Sequence, residues 1–334
     1  MTDDFGLLIT GATGFVGAAL LRHFAAAGYP VTGSGRGAAP EALLKVAAYH
    51  RADIREPMAR IQSDVVIHAA ALASDTASAA ALELANVTGV RHVYEATRSC
   101  PLFIYISSSS VYDNHQIEHR EDEPVDVRIL SPYGRSKRMA EEWLTGQDWS
   151  RRTLVILRPR AVYGSGDRQL LPRLLRLVRG GRLIIPGDMR VQSSLTHVGN
   201  LCAATEHSIR HFTERPGGVH VFNVADAAPY DMRAAVGGLL SAVCGRKLVF
   251  VEMPLAPLRA FAGFMEQWRI PTSFTPLSLA SVSQNNTLRL EKISQTIGFQ
   301  PVMNLWNDME NISTWAKQVG LKALRSGDPL LPWM

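Results

Sequence analysis

Short apolar runs bounded by glycine or polar residues alternate, through the first half of the chain, with longer stretches whose apolar positions recur every three or four residues. Leu7–Thr10 reads as a buried strand, followed by a glycine turn and a helix over Ala18–Ala27 that Gly28-Tyr29-Pro30 breaks. Val31-Thr32-Gly33, Asp64–Ala69, Phe103–Ser107 and Leu154–Leu157 are the next strand candidates, each separated from the next by helix-length sequence. A last one, His220–Val224, follows a long excursion. A helix between two strands carries the chain back to the same end of the sheet, so such strands pair in parallel. The pattern therefore predicts an α/β protein built on a doubly wound parallel sheet.

After Tyr163 the pattern changes. Gly164-Ser165-Gly166-Asp167 reads as a loop, and Leu170–Arg179 as an amphipathic helix ended by Gly180-Gly181. Pro254–Pro276 is rich in apolar and aromatic residues without strand periodicity. It fits a lobe packed over the strand ends, where ligands of doubly wound folds bind.

Composition narrows the class. A length of 334 residues with 46% hydrophobic and 19% charged positions suits one large cored unit or two intimate ones, and argues against disorder. The acidic start Met1-Thr2-Asp3-Asp4 does not fit a secretory signal, and no apolar run of about eighteen residues offers a membrane span. Cys100, Cys202 and Cys244 are widely separated and odd in number, which fits reduced thiols and a cytoplasmic location. The sequons at Asn86, Asn285 and Asn311 carry no meaning without export. The net charge of +5 is scattered, which argues against nucleic acid and leaves a phosphate-bearing small ligand as the better partner for an arginine or two. No metal site is expected: His207 and His211 lack a third ligand and read as a solvated helix face. His115 and His119, beside Glu118, Glu121 and Asp122, read as an exposed acidic loop. His197 is expected to serve a core or hydrogen-bonding role, and Trp143, Trp149, Trp268, Trp306, Trp315 and Trp333 to anchor packing.

Chemistry enters at the first turn, Thr10-Gly11-Ala12-Thr13-Gly14-Phe15-Val16-Gly17. Its three glycines meet three needs of a dinucleotide site: a tight turn, close approach of backbone to pyrophosphate, and helix-on-strand packing. An NAD enzyme places a carboxylate about twenty residues further on; here the second strand ends near Ser34-Gly35-Arg36 with no acid. Arg36 suits a 2′-phosphate, so NADP is favoured and NAD is the alternative; a plain surface arginine is the competing reading. Asp53 reads equally as an acceptor for the adenine amino group and as a helix cap.

Farther along, Tyr133 and Lys137 stand four apart, a spacing that puts both on one helix face. A phenol with a pKa of about 10 is a poor base at neutral pH, and a neighbouring ammonium favours the phenolate. Ser107-Ser108-Ser109-Ser110 follows a strand on the way to that helix and supplies hydroxyls to steady a substrate oxygen.

On these motifs the chain resembles the extended short-chain dehydrogenase/reductases of the NAD(P)-dependent epimerase/dehydratase superfamily, in the branch of the 3-beta-hydroxysteroid dehydrogenases. Asp64–Ala70, Asn86–Gly89, Arg158–Gly164, Thr196–Asn200 and Phe222–Val224 extend the likeness over nearly the whole length. The resemblance implies a Rossmann domain over 1–163 and 191–225 and a substrate lobe over 164–190 and 226–334. It implies catalytic roles for Tyr133 (acid/base), Lys137 and Ser108. Cofactor contacts are implied at Gly11, Thr13, Gly14, Phe15, Val16, Gly17, Arg36, Asp53 and Ile54, then at Ala69, Ala70, Ala71, Asn86, Ser107, Tyr133, Lys137, Pro159 and Val162. Substrate contacts are implied at Ser108, Ser109, Ser110, Ala161 and Ser193, and a homodimer through the helices around Asn86 and Tyr133.

The chain has Asp113 where the family's Val-Tyr-Gly motif carries glycine. Nucleotide-sugar epimerases carry asparagine at the position resembling Ala161 and arginine at that resembling Ser193, with Arg190 or Arg173 as substitutes here. The leading expectation is an NADP-linked dehydrogenase or reductase of a hydroxyl or ketone on a small, largely apolar substrate. The alternatives are a nucleotide-sugar epimerase, dehydratase or reductase, and a non-catalytic NADP-sensing protein.

Overall fold

The computed structural model describes residues 6–74, 77–113, 116–267 and 284–334. The Met1–Asp4 start, His115, Trp268 and the part of the Pro254–Pro276 stretch beyond Gln267 lie outside the described residues. Seven strands form one parallel sheet: β1 (Leu7–Thr10), β2 (Val31–Gly35), β3 (Ala48–Arg51), β4 (Val65–His68), β5 (Leu102–Ile106), β6 (Thr153–Pro159) and, later in the chain, Gly218–Val224. The last lies beside β6, and the order across the sheet is Gly218–Val224, β6, β5, β4, β1, β2, β3. The direction of winding reverses between β1 and β4, which opens a crevice beyond the strands' carboxyl ends at that point.

Residues of β1, β4, β5 and β6 are buried at every position, because helices cover both faces of the sheet. That is why these strands appear in the sequence as unbroken apolar runs. One face is covered by α1 (Phe15–Ala26), through Leu20, Leu21 and Phe24, and by the helix Val198–Glu214, through Leu201, Ile209 and Phe212. The other face is covered by α2 (Gly89–Ala96), through Val90, Val93 and Tyr94, and by α3 (Pro132–Thr145), through Ala140 and Leu144. The helix expected over Ala18–Ala27 starts at Phe15, immediately behind the glycine turn. β3 escaped the pattern because it is an edge strand with three of its four residues exposed.

A separate apolar core joins α4 (Leu170–Leu175), the strand Arg182–Pro186 and the helices Met232–Cys244 and Leu305–Val319, through Leu175, Leu183, Leu240 and Trp315. The helix expected over Leu170–Arg179 ends at Leu175. Val178–Arg179 is instead a strand antiparallel to Arg182–Leu183, and the glycine pair read as a helix stop is the two-residue hairpin turn between them. Gly180 and Gly181 adopt φ of 53° and 88°, which such a turn demands and other residues resist. Trp306, expected to anchor packing, is 52% exposed, whereas Trp149 and Trp315 are buried.

Two buried polar knots tie the layers together. Arg158 at the end of β6 grips Glu141 of α3 with a two-pronged pair, Nε to Oε1 at 3.0 Å and Nη2 to Oε2 at 2.6 Å. Asp226 accepts from Tyr163 Oη (2.6 Å), Tyr230 Oη (2.7 Å), the His197 amide (2.7 Å) and Asn200 Nδ2 (2.7 Å). His197 itself pairs with Asp308 through Nε2 at 2.8 Å, the hydrogen-bonding role expected of it.

The segment read as an exposed acidic loop is corrected in part. His119 is 1% exposed and stacks on Tyr112 with centroids 4.7 Å apart, and Glu121 accepts from the Asn223 amide at 2.8 Å. Donors on Arg158 and Asn223 draw this polar stretch inward, a pull that local composition does not register. His207 and His211 are half-buried rather than solvated, and His207 shares a hydrogen bond with the Ile297 carbonyl.

Candidate active site

The glycine turn behind β1 is packed to a degree that only hydrogen side chains allow. A Cβ on Gly17 would stand 2.1 Å from the Gly11 carbonyl oxygen, and one on Gly11 (φ 72°) would stand 2.8 Å from the Ala70 backbone. The turn and Ala69-Ala70-Ala71 behind β4 thereby meet across the crevice. Gly14 caps α1 without any side-chain hydrogen bond, and the helix's first turn holds no acid, so its amides and positive dipole end are left for a ligand. Phe15 and Val16 open that helix, and Thr13 Oγ1 lies toward Gly35. A cradle of glycine backbone under a helix N-terminus fits a dinucleotide pyrophosphate.

At the far end of the cradle, β2 stops at Gly35 and Arg36 follows, exposed, with its carbonyl accepting from Arg51 Nε at 3.1 Å. Asp53 is engaged by its own neighbour: both carboxylate oxygens accept from Arg55, and Oδ1 also caps the Arg55 amide. The Arg55 side chain holds the Asp53 carboxyl down to about 2. Ile54 packs against α2 at Gly89.

A buried chain runs from the cradle to the Tyr133–Lys137 pair. Thr10 Oγ1 and His68 Nδ1 share a hydrogen bond at 2.8 Å, the His68 ring stacks on Tyr105 at 5.8 Å, and Lys137 Nζ sits 4.3 Å from the Tyr105 centroid. Lys137 is 1% exposed and donates to the Ile106 carbonyl at 2.8 Å. Burial pulls the amine from 10.5 down to about 7, with Glu141 opposing. Burial, then the Lys137 charge, push His68 down to about 3 and keep it neutral.

The serine run and α3 are in backbone contact. Ser131 caps α3 by accepting from the Gly134 amide, and a Cβ on Gly134 would stand 2.0 Å from the Ser110 carbonyl oxygen. Tyr133, half-buried, therefore opens its helix directly over Ser108–Ser110. Ser108 Oγ accepts from the Ser110 amide at 3.1 Å and donates to Ser110 Oγ at 3.1 Å, while Ser107 and Ser109 are buried. Asn86, in a π-helical turn over Leu84–Thr88, donates to Ser136 Oγ at 2.9 Å and clamps both polar backbone groups of Leu72. It ties the cradle side to α3.

The remaining expected residues gather where β6 ends. Pro159 is its last residue, Ala161 turns the chain in the left-handed region (φ 44°), and Val162 pairs with Thr196. Ser193 accepts from Arg160 Nε at 3.1 Å. Sequence reading passed over Arg160 and named Arg190 and Arg173 instead; Arg190 is exposed on a turn with Asp188. Among the described residues no group of three metal-binding side chains occurs, and no helix is long and apolar enough to cross a membrane.

Residues 7–225 match the NAD dependent epimerase/dehydratase family. The chain is 31% identical to 2-alkyl-3-oxoalkanoate reductase of Stenotrophomonas maltophilia over 71% of its own length and 75% of that protein's. It is 29% identical to 4-hydroxy-2-methyl-3-oxo-4-farnesyl-3,4-dihydroquinoline-1-oxide ketoreductase of Stigmatella aurantiaca, over 96% of each. In fold it resembles the UDP-Glc/GlcNAc 4-epimerase of Campylobacter jejuni, with a TM-score of 0.72 at 17% identity over 94% of this chain and 99% of that one.

Proposed function

Since the chain belongs to the NAD-dependent epimerase/dehydratase family of extended short-chain dehydrogenase/reductases, and is thus an NAD(P)-dependent enzyme, we propose that it reduces a ketone, or oxidises the matching alcohol, on a small and largely apolar substrate. The observation that carries this reading is that the helix bearing Tyr133 and Lys137 packs onto the serine loop, Gly134 against Ser110, with Lys137 joined to the glycine cradle through Tyr105, His68 and Thr10. Two relatives of this chain, named as an oxoalkanoate reductase and a ketoreductase, favour the same chemistry.

When bound in the cradle, the nicotinamide cofactor supplies or accepts the hydride. Tyr133 Oη passes the proton to or from the substrate oxygen, and Ser108 Oγ turns from Ser110 to donate to that oxygen. Lys137, as an ammonium, favours the phenolate of Tyr133, and its buried seat keeps water from screening that attraction. The N-terminal amides of α1 and the glycine backbone hold the pyrophosphate, Asn86 keeps α3 in register with the cradle, and Arg36 receives a 2′-phosphate, so NADP is the preferred cofactor. The core around Leu175, Leu183 and Trp315 belongs to the substrate lobe. Family likeness further supports a homodimer, which sedimentation of the pure protein would show.

The test is Tyr133→Phe. A positioned acid/base is worth about 10²–10⁴-fold in rate, so kcat should fall by that factor with cofactor affinity unchanged. A rate within about tenfold of wild type would remove Tyr133 from the mechanism.

A further inference from the structure

Arginines that a fold draws out of water are normally matched by a carboxylate, because a desolvated cation without a counter-charge is costly. Arg158 obeys this rule, with both prongs on Glu141. Arg160, two residues on, does not. It is half-buried, and among the described residues no carboxylate comes within 4.0 Å of it. Its Nε donates to Ser193 Oγ at 3.1 Å, its amide is fixed by Thr196 Oγ1 at 2.9 Å, and its two terminal nitrogens make no hydrogen bond among the described residues. Nor are those nitrogens sealed off, since neither is one of the fully enclosed, unpartnered atoms. Burial, with no charge partner, brings the guanidinium down to about 10. His119, close enough to feel the Arg160 charge, has its Nε2 buried without a partner.

β5 and β6 are neighbours in the sheet, with the Ser107 amide donating to the Leu157 carbonyl at 2.8 Å. Ser108–Ser110 and Arg160 therefore leave adjacent strands at the same edge, the first under Tyr133 and the second on the lobe side. A substrate whose oxygen rests on the serines extends past the end of β6.

We propose that Arg160 is a substrate-binding residue whose free donors grip an anionic oxygen group, a carboxylate or a phosphate, carried by the substrate beside an otherwise apolar skeleton. This rests on the oxidoreductase reading for which end of the substrate reacts, but the grip itself is measured without turnover. With saturating NADPH, which cannot accept a hydride and so forms a dead-end complex with an alcohol, binding of 3-hydroxydecanoate, its neutral methyl ester and monooctyl phosphate is followed by calorimetry on the wild-type protein, Arg160→Gln and Arg160→Lys. At least one anion should bind about tenfold or more tightly than the ester, the factor expected of one charge-assisted bidentate contact. Arg160→Gln should erase that preference while leaving the ester's affinity and the melting temperature in place, and Arg160→Lys should keep part of it. A tighter acid identifies a carboxylate; a tighter alkyl phosphate identifies a phosphate. Equal binding of anions and ester by wild type, or a preference that survives in folded Arg160→Gln, overturns the proposal. Anion binding that depends on Arg160 without any reduction of the corresponding ketone would instead strike down the oxidoreductase reading and leave the anion grip standing.

Discussion

Replacing Lys137 by methionine should make the stability of the protein respond to pH in a way set by one buried amine. The side chain is 1% exposed, and burial lowers its pKa from 10.5 to about 7. The folded value lies below the unfolded one, so between them the unfolded chain binds more protons and stability rises with pH. The charge penalty is fully present below about pH 7 and fades as pH climbs toward 10.5. At ~1.36 kcal/mol per unit, the penalty is at most ~5 kcal/mol at pH 6 and ~1.5 kcal/mol at pH 9.5. Methionine fills the same volume without charge and also forfeits the hydrogen bond to Ile106, a loss of ~1–3 kcal/mol that does not depend on pH. The Arg158 pair leaves Glu141 satisfied in the variant. The readout is therefore the slope: the stability of Lys137→Met minus that of wild type should fall by up to ~3 kcal/mol between pH 6 and 9.5. Urea unfolding of the cofactor-free protein, followed by tryptophan fluorescence, to which the buried Trp149 and Trp315 contribute, measures it. A difference that stays flat within ~0.5 kcal/mol across that range would refute the linkage argument.

Two further outcomes follow from the geometry. Arg36→Glu should move the ratio of kcat/KM for NADP over NAD toward NAD by about tenfold or more, because it replaces a phosphate partner with a hydroxyl partner; an unchanged ratio would mean that Arg36 is a bystander. Asp226→Ala strands four donors, two tyrosine hydroxyls, an amide and a side-chain Nδ2, and should cost ~3 kcal/mol or more in urea unfolding; a loss under ~1 kcal/mol would mean that the knot is not structural.

How much of this was legible in the sequence depends on how local each signal is. Strands such as Val65–His68 and Leu102–Ile106 announce themselves because both faces are buried, and the cradle because Gly11 and Gly17 leave no room for a side chain. The Tyr133–Lys137 spacing is likewise a local fact about one helix. The Gly180-Gly181 pair was ambiguous, since glycine ends helices and makes hairpin turns by the same freedom of φ. His119, Asp226 and Arg160 were misjudged or passed over for a common reason. What decides their role is a partner 102 residues away for Glu121 beside His119, 63 for Asp226 and 33 for Arg160. No window of sequence contains both ends of such a pair.

One close approach constrains what evolution can do with this scaffold. Because Gly134 presents only hydrogen where a methyl carbon would strike the Ser110 carbonyl at 2.0 Å, the serine loop and the tyrosine's helix are welded into a single block. Neither half can slide to accommodate a bulkier molecule without breaking that weld. If the substrate site is the one proposed above, descendants of this fold that learn new substrates must do so by rewriting the stretch around Arg160, Ala161 and Ser193, while the welded block is inherited unaltered.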